Sequence, residues 1–243
     1  MVLSFIVPAY NEEHELPGTL AAIDDSARKS GYPFEIIVVD DASTDRTATV
    51  ATAAGATVVS ISRRQIAASR NAGAHASRGA ILFFVDADTR ITARHVTEAI
   101  AALDAGYAGG SSRMDMDENV PRWSRFVIRV FSVLYFANQL GAGAFLFTTR
   151  QNFETVGGFD EQYFAGEEVW FSIALKKLGK FKILRAPMVT SGRKLRMHRG
   201  RDLWFHFFRI ILGGPSACQS REKLDIWYDG KREGRDLATL VVD

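Results

Sequence analysis

The fold is decided by one stretch of the chain, Ala80-Ile81-Leu82-Phe83-Phe84-Val85-Asp86-Ala87-Asp88. The residues before the first Asp are all apolar and do not alternate with polar ones, which is typical of a strand buried on both faces of a parallel sheet. Asp86 and Asp88 follow at the carboxyl end of that strand, where open α/β sheets bind their ligands. Two carboxylates there can share Mg²⁺ or Mn²⁺ with a substrate phosphate. The same tripeptide also occurs as a solvated turn that caps the next helix, so other parts of the chain must decide.

Strands alternate with helices through the amino-terminal half of the chain. Apolar runs predict strands over residues 3–7, 34–39, 56–61 and 80–85, the first of them stopped by Pro8. Helical patterns follow each strand, with Asn11 and Ser43 or Thr44 as expected helix caps. Strands joined in this way by helices lie parallel. The sequence therefore predicts an α/β fold with a doubly wound, mainly parallel sheet flanked by helices.

Polar clusters follow three of these strands. Pro8-Ala9-Tyr10-Asn11-Glu12 follows the first strand, Asp40-Asp41 the second and Asp86-Ala87-Asp88 the fourth. Because parallel strands end at a common edge, we expect the three clusters to lie together there. No glycine-rich phosphate loop follows the first strand, so a nucleotide would be held by side chains and a metal. A capped helix and a surface salt bridge are the alternative interpretation of Asp40, Asp41 and Arg70.

Composition and charge limit the classes of protein. The chain has 243 residues, of which 47% are hydrophobic and 24% charged, as in an ordinary globular domain. Its net charge of +2 argues against nucleic acid as a partner, although basic residues crowd into residues 185–209. The single Cys218 cannot form an intrachain disulfide, and no signal peptide is recognised. We therefore expect a cytoplasmic protein, either free or peripheral on the inner face of the membrane.

The pattern changes in the second half of the chain. Residues 123–139 are predicted to form a helix that is apolar on nearly every side, and residues 130–147 contain no charge. We favour a packed helix over a membrane span, because Asn138, Gln139 and the glycine break at residues 141–143 would lie inside the bilayer. Further elements are predicted as strands over residues 143–149 and 181–184, and as helices over residues 167–178 and 203–212.

Five motifs occur along the chain in a characteristic order and spacing: Ile6-Val7-Pro8-Ala9-Tyr10-Asn11-Glu12, Val38-Val39-Asp40-Asp41-Ala42-Ser43-Thr44-Asp45, Ala68-Ser69-Arg70-Asn71-Ala72-Gly73-Ala74, Phe84-Val85-Asp86-Ala87-Asp88-Thr89, and Gly157-Gly158-Phe159-Asp160 with Gly166-Glu167-Glu168. Together they resemble glycosyltransferase family 2, over roughly residues 3–180. The resemblance implies the GT-A fold of nucleotide-diphospho-sugar transferases. It also implies a UDP- or GDP-sugar donor, a hydroxyl acceptor and a divalent metal, Mn²⁺ or Mg²⁺.

The resemblance assigns roles to the matching residues. The nucleotide-sugar-binding residues that it implies are Pro8, Ala9, Tyr10, Glu12, Asp40, Asp41, Arg70, Asp86, Ala87 and Arg193. One of Asp40 and Asp41 would contact the nucleoside. The metal ligands would be Asp86, Asp88 and His198, with Asp88 the firmest of the three.

The acidic pair Glu167-Glu168 departs from the family pattern, in which the pair usually ends in Asp and carries the catalytic base. An inverting transfer needs a carboxylate within hydrogen-bond reach of the acceptor hydroxyl, and Glu168 fits by position. Glu167 is the alternative candidate for the catalytic base. Both residues could instead be helix-start acids that interact with the helix dipole.

The resemblance also divides the chain. We expect a catalytic domain over residues 1–190, with a nucleotide-sugar-binding half at 1–114 and an acceptor-side half at 115–190. Residues 191–243 would form a basic and aromatic helical extension packed on the same domain. Within it, residues 191–198 resemble a stretch that closes over the diphosphate in several members. The aromatic helix at 203–212 would pack on residues 123–139 or across a homodimer interface, with contact to a membrane or a lipid-linked acceptor as the alternative.

Two other functions use the same residues. In phosphatases of the haloacid dehalogenase type, an Asp such as Asp86 is the nucleophile, but Arg90 stands where that motif wants Thr or Val. That interpretation also leaves the Pro8 and Asp40 clusters without a purpose. A non-catalytic nucleotide-sugar-binding protein is the other alternative, and it is motivated by the departure at Glu168.

Overall fold

The computed structural model describes residues 1–116, 140–190 and 218–219. Within these ranges the chain forms eight strands and six helices. They are β1 (Leu3–Ala9), α1 (Leu16–Ser30), β2 (Phe34–Asp41), α2 (Thr47–Ala53), β3 (Thr57–Ile61), α3 (Ile66–Ala76), β4 (Ile81–Val85), β5 (Thr89–Arg90), α4 (Ala93–Asp104), β6 (Gly109–Met116), β7 (Phe145–Thr149), α5 (Arg150–Val156), α6 (Glu167–Lys176) and β8 (Phe181–Thr190). The helices predicted at residues 123–139 and 203–212, and the basic stretch at 191–198, lie outside the described residues.

The strands form one mixed sheet in the order β3-β2-β1-β4-β7-β6-β8-β5. The first four strands of this order run parallel to one another. β7 runs antiparallel to both β4 and β6, β8 is parallel to β6, and β5 is antiparallel to β8. The structure confirms the predicted α/β class with a mixed, mainly parallel sheet.

Helices cover both faces of the sheet, which explains the unbroken apolar run in β4. Phe83 points to one face, where it stacks on Phe5 with ring centroids 4.8 Å apart and joins the core beneath α1 and α4. Phe84 points to the other face and meets Phe159 at 4.9 Å in the core beneath α3 and α6. Every position of this strand is therefore buried.

The first strand does not stop at Pro8. β1 continues to Ala9 by pairing with β2, and Pro8 stands opposite Val39. Pairing with β4 on the other side has already ended at Ile6. Pro8 therefore lies where the β4 side of the ladder is open, and its missing N–H breaks no bond to that strand.

The carboxyl-terminal half follows the sequence pattern only in part. The strand predicted at residues 143–149 is confirmed as β7, which enters the sheet antiparallel, and the short helix α5, which was not predicted, follows it directly. β8 is longer than the predicted strand and extends to Thr190. Because Phe145–Thr149 is a strand of this sheet, residues 145–147 are not part of a membrane span. Among the described residues, no helix is long and apolar enough to cross a bilayer.

Candidate active site

The loops after β1 and β2 are tied to each other at the carboxyl edge of the sheet. The backbone N–H of Asn11 donates to Oγ of Ser43 at 3.0 Å, and the Asn11 side-chain oxygen accepts from the backbone N–H of Thr44 at 2.8 Å. The prediction that these side chains cap the next helices is wrong. α1 begins after Glu15 and α2 after Arg46, each without a side-chain capping bond. The side chains instead join two loops, which places Tyr10 and Glu12 at the same edge as Asp40.

Asp40 and Asp41 have different environments. Asp41 is buried, and its Oδ1 accepts the backbone N–H groups of Arg63 and Arg64, each at 2.7 Å. Its Oδ2 accepts the N–H of Gln65 at 2.7 Å. Asp40 accepts a single such bond, from the N–H of Ser43 at 3.1 Å. Asp41 is thus engaged in holding the loop before α3, which favours Asp40 as the residue that faces the nucleoside.

The loop that carries Asp86 and Asp88 is fixed from two sides. On one side, Oγ1 of Thr19 in α1 donates to the carbonyl of Ala87 at 2.7 Å. On the other, Oγ1 of Thr190 at the end of β8 donates to Oδ1 of Asp88 at 3.3 Å. These two bonds therefore fix the position of the loop that carries both carboxylates at the end of β4.

Arg70 lies at the centre of the site and is fully buried. One terminal nitrogen donates to Oε1 of Glu167 at 2.6 Å, and the other donates to Oδ1 of Asp86 at 3.0 Å and to the carbonyl of Gly143 at 2.8 Å. Burial opposes the charged form of Arg70, but the carboxylates of Asp86 and Glu167 outweigh it and raise the pKa. The structure thus joins residues from three motifs. The resemblance implied that Arg70 lies near the nucleotide, and the geometry favours a positioning role between two carboxylates.

The acidic pair opens α6. Gly166 takes a left-handed backbone at φ +74° directly before it, and Glu167 is buried against Arg70. Glu168 is partly buried, and burial together with the negative charge of Glu167 raises its pKa to about 8. A carboxyl group with such a pKa can exchange a proton near neutral pH, as a general base must.

Asn71 holds the turn that leads to the acidic pair, a contact that sequence reasoning did not identify. Its side-chain oxygen accepts the backbone N–H of Phe159 at 2.9 Å, and its amide nitrogen donates to the Phe159 carbonyl at 2.8 Å. Gly158 takes φ +74°, and a Cβ there would lie 2.7 Å from Oδ1 of Asn71. The only signal in the sequence was the position of Asn71 next to Arg70 in one motif.

The donor set at the end of β4 suits a hard cation. Asp86 and Asp88 offer carboxylate oxygens, which Mg²⁺ and Mn²⁺ prefer, and substrate phosphates commonly complete such a shell. The described part of the chain contains no group of three His, Cys, Asp or Glu residues placed to hold a metal by itself. Arg193 and His198, expected at the diphosphate and the metal, lie outside the described residues.

Comparison with known proteins identifies the family. The model of Glycosyl transferase family 2 matches residues 4–168 of the chain. The chain belongs to glycosyltransferase family 2. Membership removes the reason for considering a haloacid-dehalogenase-type phosphatase.

A curated relative and two solved structures illustrate the similarity. Undecaprenyl-phosphate 4-deoxy-4-formamido-L-arabinose transferase of Pseudomonas paraeruginosa is 31% identical over 145 residues, covering 54% of this chain and 41% of that protein. A mannosyltransferase from Pyrobaculum calidifontis, solved with GDP-Man and Mn²⁺, superposes with a TM-score of 0.61 at 21% identity and covers 86% of this chain and 59% of that one. Glucosyl-3-phosphoglycerate synthase from Mycobacterium tuberculosis, solved with Mn²⁺, UDP and phosphoglyceric acid, has a TM-score of 0.61 at 22% identity, with 87% and 76% covered.

These superpositions confirm the GT-A fold. The chain matches about two-fifths of the length of the first curated relatives, 41% in the Pseudomonas protein. The activity, donor and acceptor of this chain therefore depend on the residues of its own site.

Proposed function

We propose that this family 2 protein is a metal-dependent glycosyltransferase that transfers a sugar from a nucleoside diphosphate to a hydroxyl acceptor with inversion. One observation carries the proposal. Arg70 joins Asp86, at the donor edge of the sheet, to Glu167 of the acidic pair. A donor-binding carboxylate and the neighbour of the proposed base thus belong to one charge network centred on the buried Arg70.

The donor would lie along the carboxyl edge of the parallel strands. Pro8, Ala9, Tyr10 and Glu12 stand at the end of β1, and Asp40 follows at the end of β2. Asp86 and Ala87 would then meet the ribose, and Arg193 the diphosphate. The Pyrobaculum and Mycobacterium structures, which contain GDP-Man and UDP, support a nucleoside diphosphate of either kind. This arrangement assigns residues 1–114 to the donor and the following residues to the acceptor.

A divalent cation would be held by Asp86 and Asp88, with His198 as the further ligand. Bound there, it supplies positive charge that stabilises the diphosphate as it departs. The hydroxyl of Thr190 orients Asp88, as outer hydrogen-bond partners orient metal ligands in general. Both solved structures described above contain Mn²⁺, which supports this assignment.

Glu168 is the base in this proposal, and Glu167 is its positioning neighbour. Glu167 is committed to Arg70 at 2.6 Å, whereas Glu168 is partly exposed beside it. In its ionised form Glu168 accepts the proton of the acceptor hydroxyl. The acceptor oxygen bonds to the anomeric carbon as the bond from that carbon to the phosphate oxygen breaks, and the nucleoside diphosphate leaves.

A screen of chemically different acceptors identifies the acceptor class. The Pseudomonas relative is named for undecaprenyl phosphate, a lipid phosphate, which supports including lipid-linked acceptors in the screen. The screen should contain sugars, glycerol phosphates and polyprenyl phosphates. A lipid-phosphate acceptor would leave the donor site unchanged and replace the hydroxyl with a phosphate oxygen.

The test combines donor binding with turnover. We expect UDP or GDP and one of their sugar conjugates to bind in calorimetric titration with Mn²⁺, and binding to weaken with EDTA or in Asp88→Ala. Glu168→Gln should keep donor affinity while kcat falls by about 10²–10⁴-fold. Glu154→Gln, an exposed glutamate on α5, is the matched control and should keep full kcat.

Two outcomes would contradict the proposal. No nucleotide bound with or without metal would exclude a donor site. Donor and metal binding without turnover on any acceptor would instead favour the non-catalytic binding protein.

A further inference from the structure

Arg64 has a left-handed backbone conformation that hydrogen bonds from the surrounding loop hold in place. Its φ is +50°, in the left-handed region that residues with a Cβ rarely adopt. Asp41 holds it there by accepting the N–H groups of Arg63, Arg64 and Gln65. Strained residues that the surrounding structure over-determines occur preferentially at ligand sites.

The side chain of Arg64 lies on Tyr10. The guanidinium carbon is 3.3 Å from the centroid of the Tyr10 ring, which is stacking distance. Among the described residues, the Arg64 side chain has no ion pair and no hydrogen bond. Its neighbour Arg63 differs, since it is 67% exposed and pairs with Glu161 at 3.5 Å. A planar cation is therefore held half-buried at the donor edge with its N–H groups uncommitted within the described structure.

We infer that Arg64 is a nucleotide-recognition residue, whose guanidinium is held on Tyr10 so that its N–H groups bind oxygens of a nucleoside diphosphate. This rests on the proposed function. A guanidinium stacked on an aromatic ring keeps its in-plane donors available, and these match phosphate and carbonyl oxygens in pairs. The diphosphate and the carbonyls of the base offer the same acceptor chemistry.

The experiment separates recognition from structure. Arg64→Gly removes the side chain and suits the positive φ, so we expect the melting temperature to stay the same or rise. We expect the Kd for the nucleoside diphosphate that the wild type binds, UDP or GDP, to weaken by about tenfold in calorimetry with Mn²⁺. Arg63→Gly, one residue earlier on the same loop, is the matched control and should leave that Kd within about twofold, since a rim ion pair contributes little.

The free nucleoside identifies which oxygens are bound. A loss of affinity for uridine or guanosine as well as for the diphosphate places the contact at the base, and a loss for the diphosphate alone places it at the phosphates. Either result supports the inference. A wild type that binds nucleotide while Arg64→Gly binds it equally well overturns the inference alone. A wild type that binds no nucleotide overturns the proposed function, and this inference with it.

Discussion

At the scale of single residues, Glu168 and Arg70 show how the fold adjusts chemistry. Glu168 follows Glu167, whose negative charge faces Arg70. Arg70 also donates to Asp86, so its single positive charge is shared between two carboxylates. The partly buried Glu168 is left with a raised pKa of about 8. The fold thus disfavours the charged form of Glu168 near neutral pH. A cation at Asp86 would favour the ionised form and lower this pKa.

The raised pKa gives a prediction about stability. In the unfolded chain the Glu168 carboxyl ionises near 4.5, and in the folded protein near 8. Below pH 4.5 the group is protonated in both states, so Glu168 costs the fold no stability there. As the pH rises from 4.5 towards 8, the unfolded chain releases the proton more readily, so the contribution of Glu168 to stability falls until that pH and no further.

Glu168→Gln has no such proton to lose. The free energy of unfolding of Glu168→Gln should exceed that of the wild type by near zero at acidic pH and by on the order of 1–2 kcal/mol at pH 8. The latter figure allows for the partial exposure of the group. Thermal unfolding across this pH range measures the difference. Glu154→Gln should show no comparable trend, and a flat difference for Glu168→Gln would contradict the raised pKa.

At the scale of elements, α3 organises the site through two adjacent residues. Arg70 reaches from α3 to the start of α6, and Asn71 reaches to the turn before it. A helix that packs on the parallel half of the sheet thereby determines where the acidic pair lies relative to the end of β4. The close packing requires Gly73, where a Cβ would lie 2.4 Å from Ile6.

The Asn71 contact can be tested by two adjacent glycines. Gly157 and Gly158 have nearly the same backbone, with φ +79° and +74°, but a Cβ would meet nothing within 4 Å at Gly157 and would lie 2.7 Å from Asn71 at Gly158. Gly157→Ala should cost about 1 kcal/mol from the positive φ alone. Gly158→Ala should cost roughly 2–3 kcal/mol, because its Cβ would also lie 2.9 Å from Phe153 and would displace Asn71 from its two bonds to Phe159.

Urea unfolding measures both costs, and the difference between the two variants reports the crowding of Asn71 and Phe153 by the new Cβ. Gly158→Ala should also lower kcat more than Gly157→Ala, because the turn leads to Glu167 and Glu168. Equal losses of stability would show that the Asn71 contact does not hold the turn.

At the scale of the whole molecule, sequence patterns predicted the parallel half of the sheet better than the mixed half. The run at 80–85 and the clusters at the carboxyl ends of β1, β2 and β4 were correctly placed, because buried parallel strands have a strong local signature. α5 was not predicted, because it is one short helix whose N-cap, Thr149, is also the last residue of β7. The contacts of Arg70 were beyond sequence patterns, since Glu167 is 97 residues away and burial between two carboxylates depends on the tertiary fold.

Donor and metal should together stabilise the whole molecule against thermal unfolding. A ligand that binds only the folded state at about 100 times its Kd stabilises it by roughly 3 kcal/mol, which for a chain of this size raises the melting temperature by about 5–10 °C. We expect this shift with Mn²⁺ and the nucleoside diphosphate together, and a smaller one when EDTA replaces the metal. Asp88→Ala should lose the metal-dependent part of the shift. Asp104 is an exposed aspartate at the end of α4, near Ile81 and so at the opposite edge of the sheet. Asp104→Ala should keep the metal-dependent part of the shift. A metal-dependent shift that persists in Asp88→Ala would place the cation elsewhere than at the end of β4.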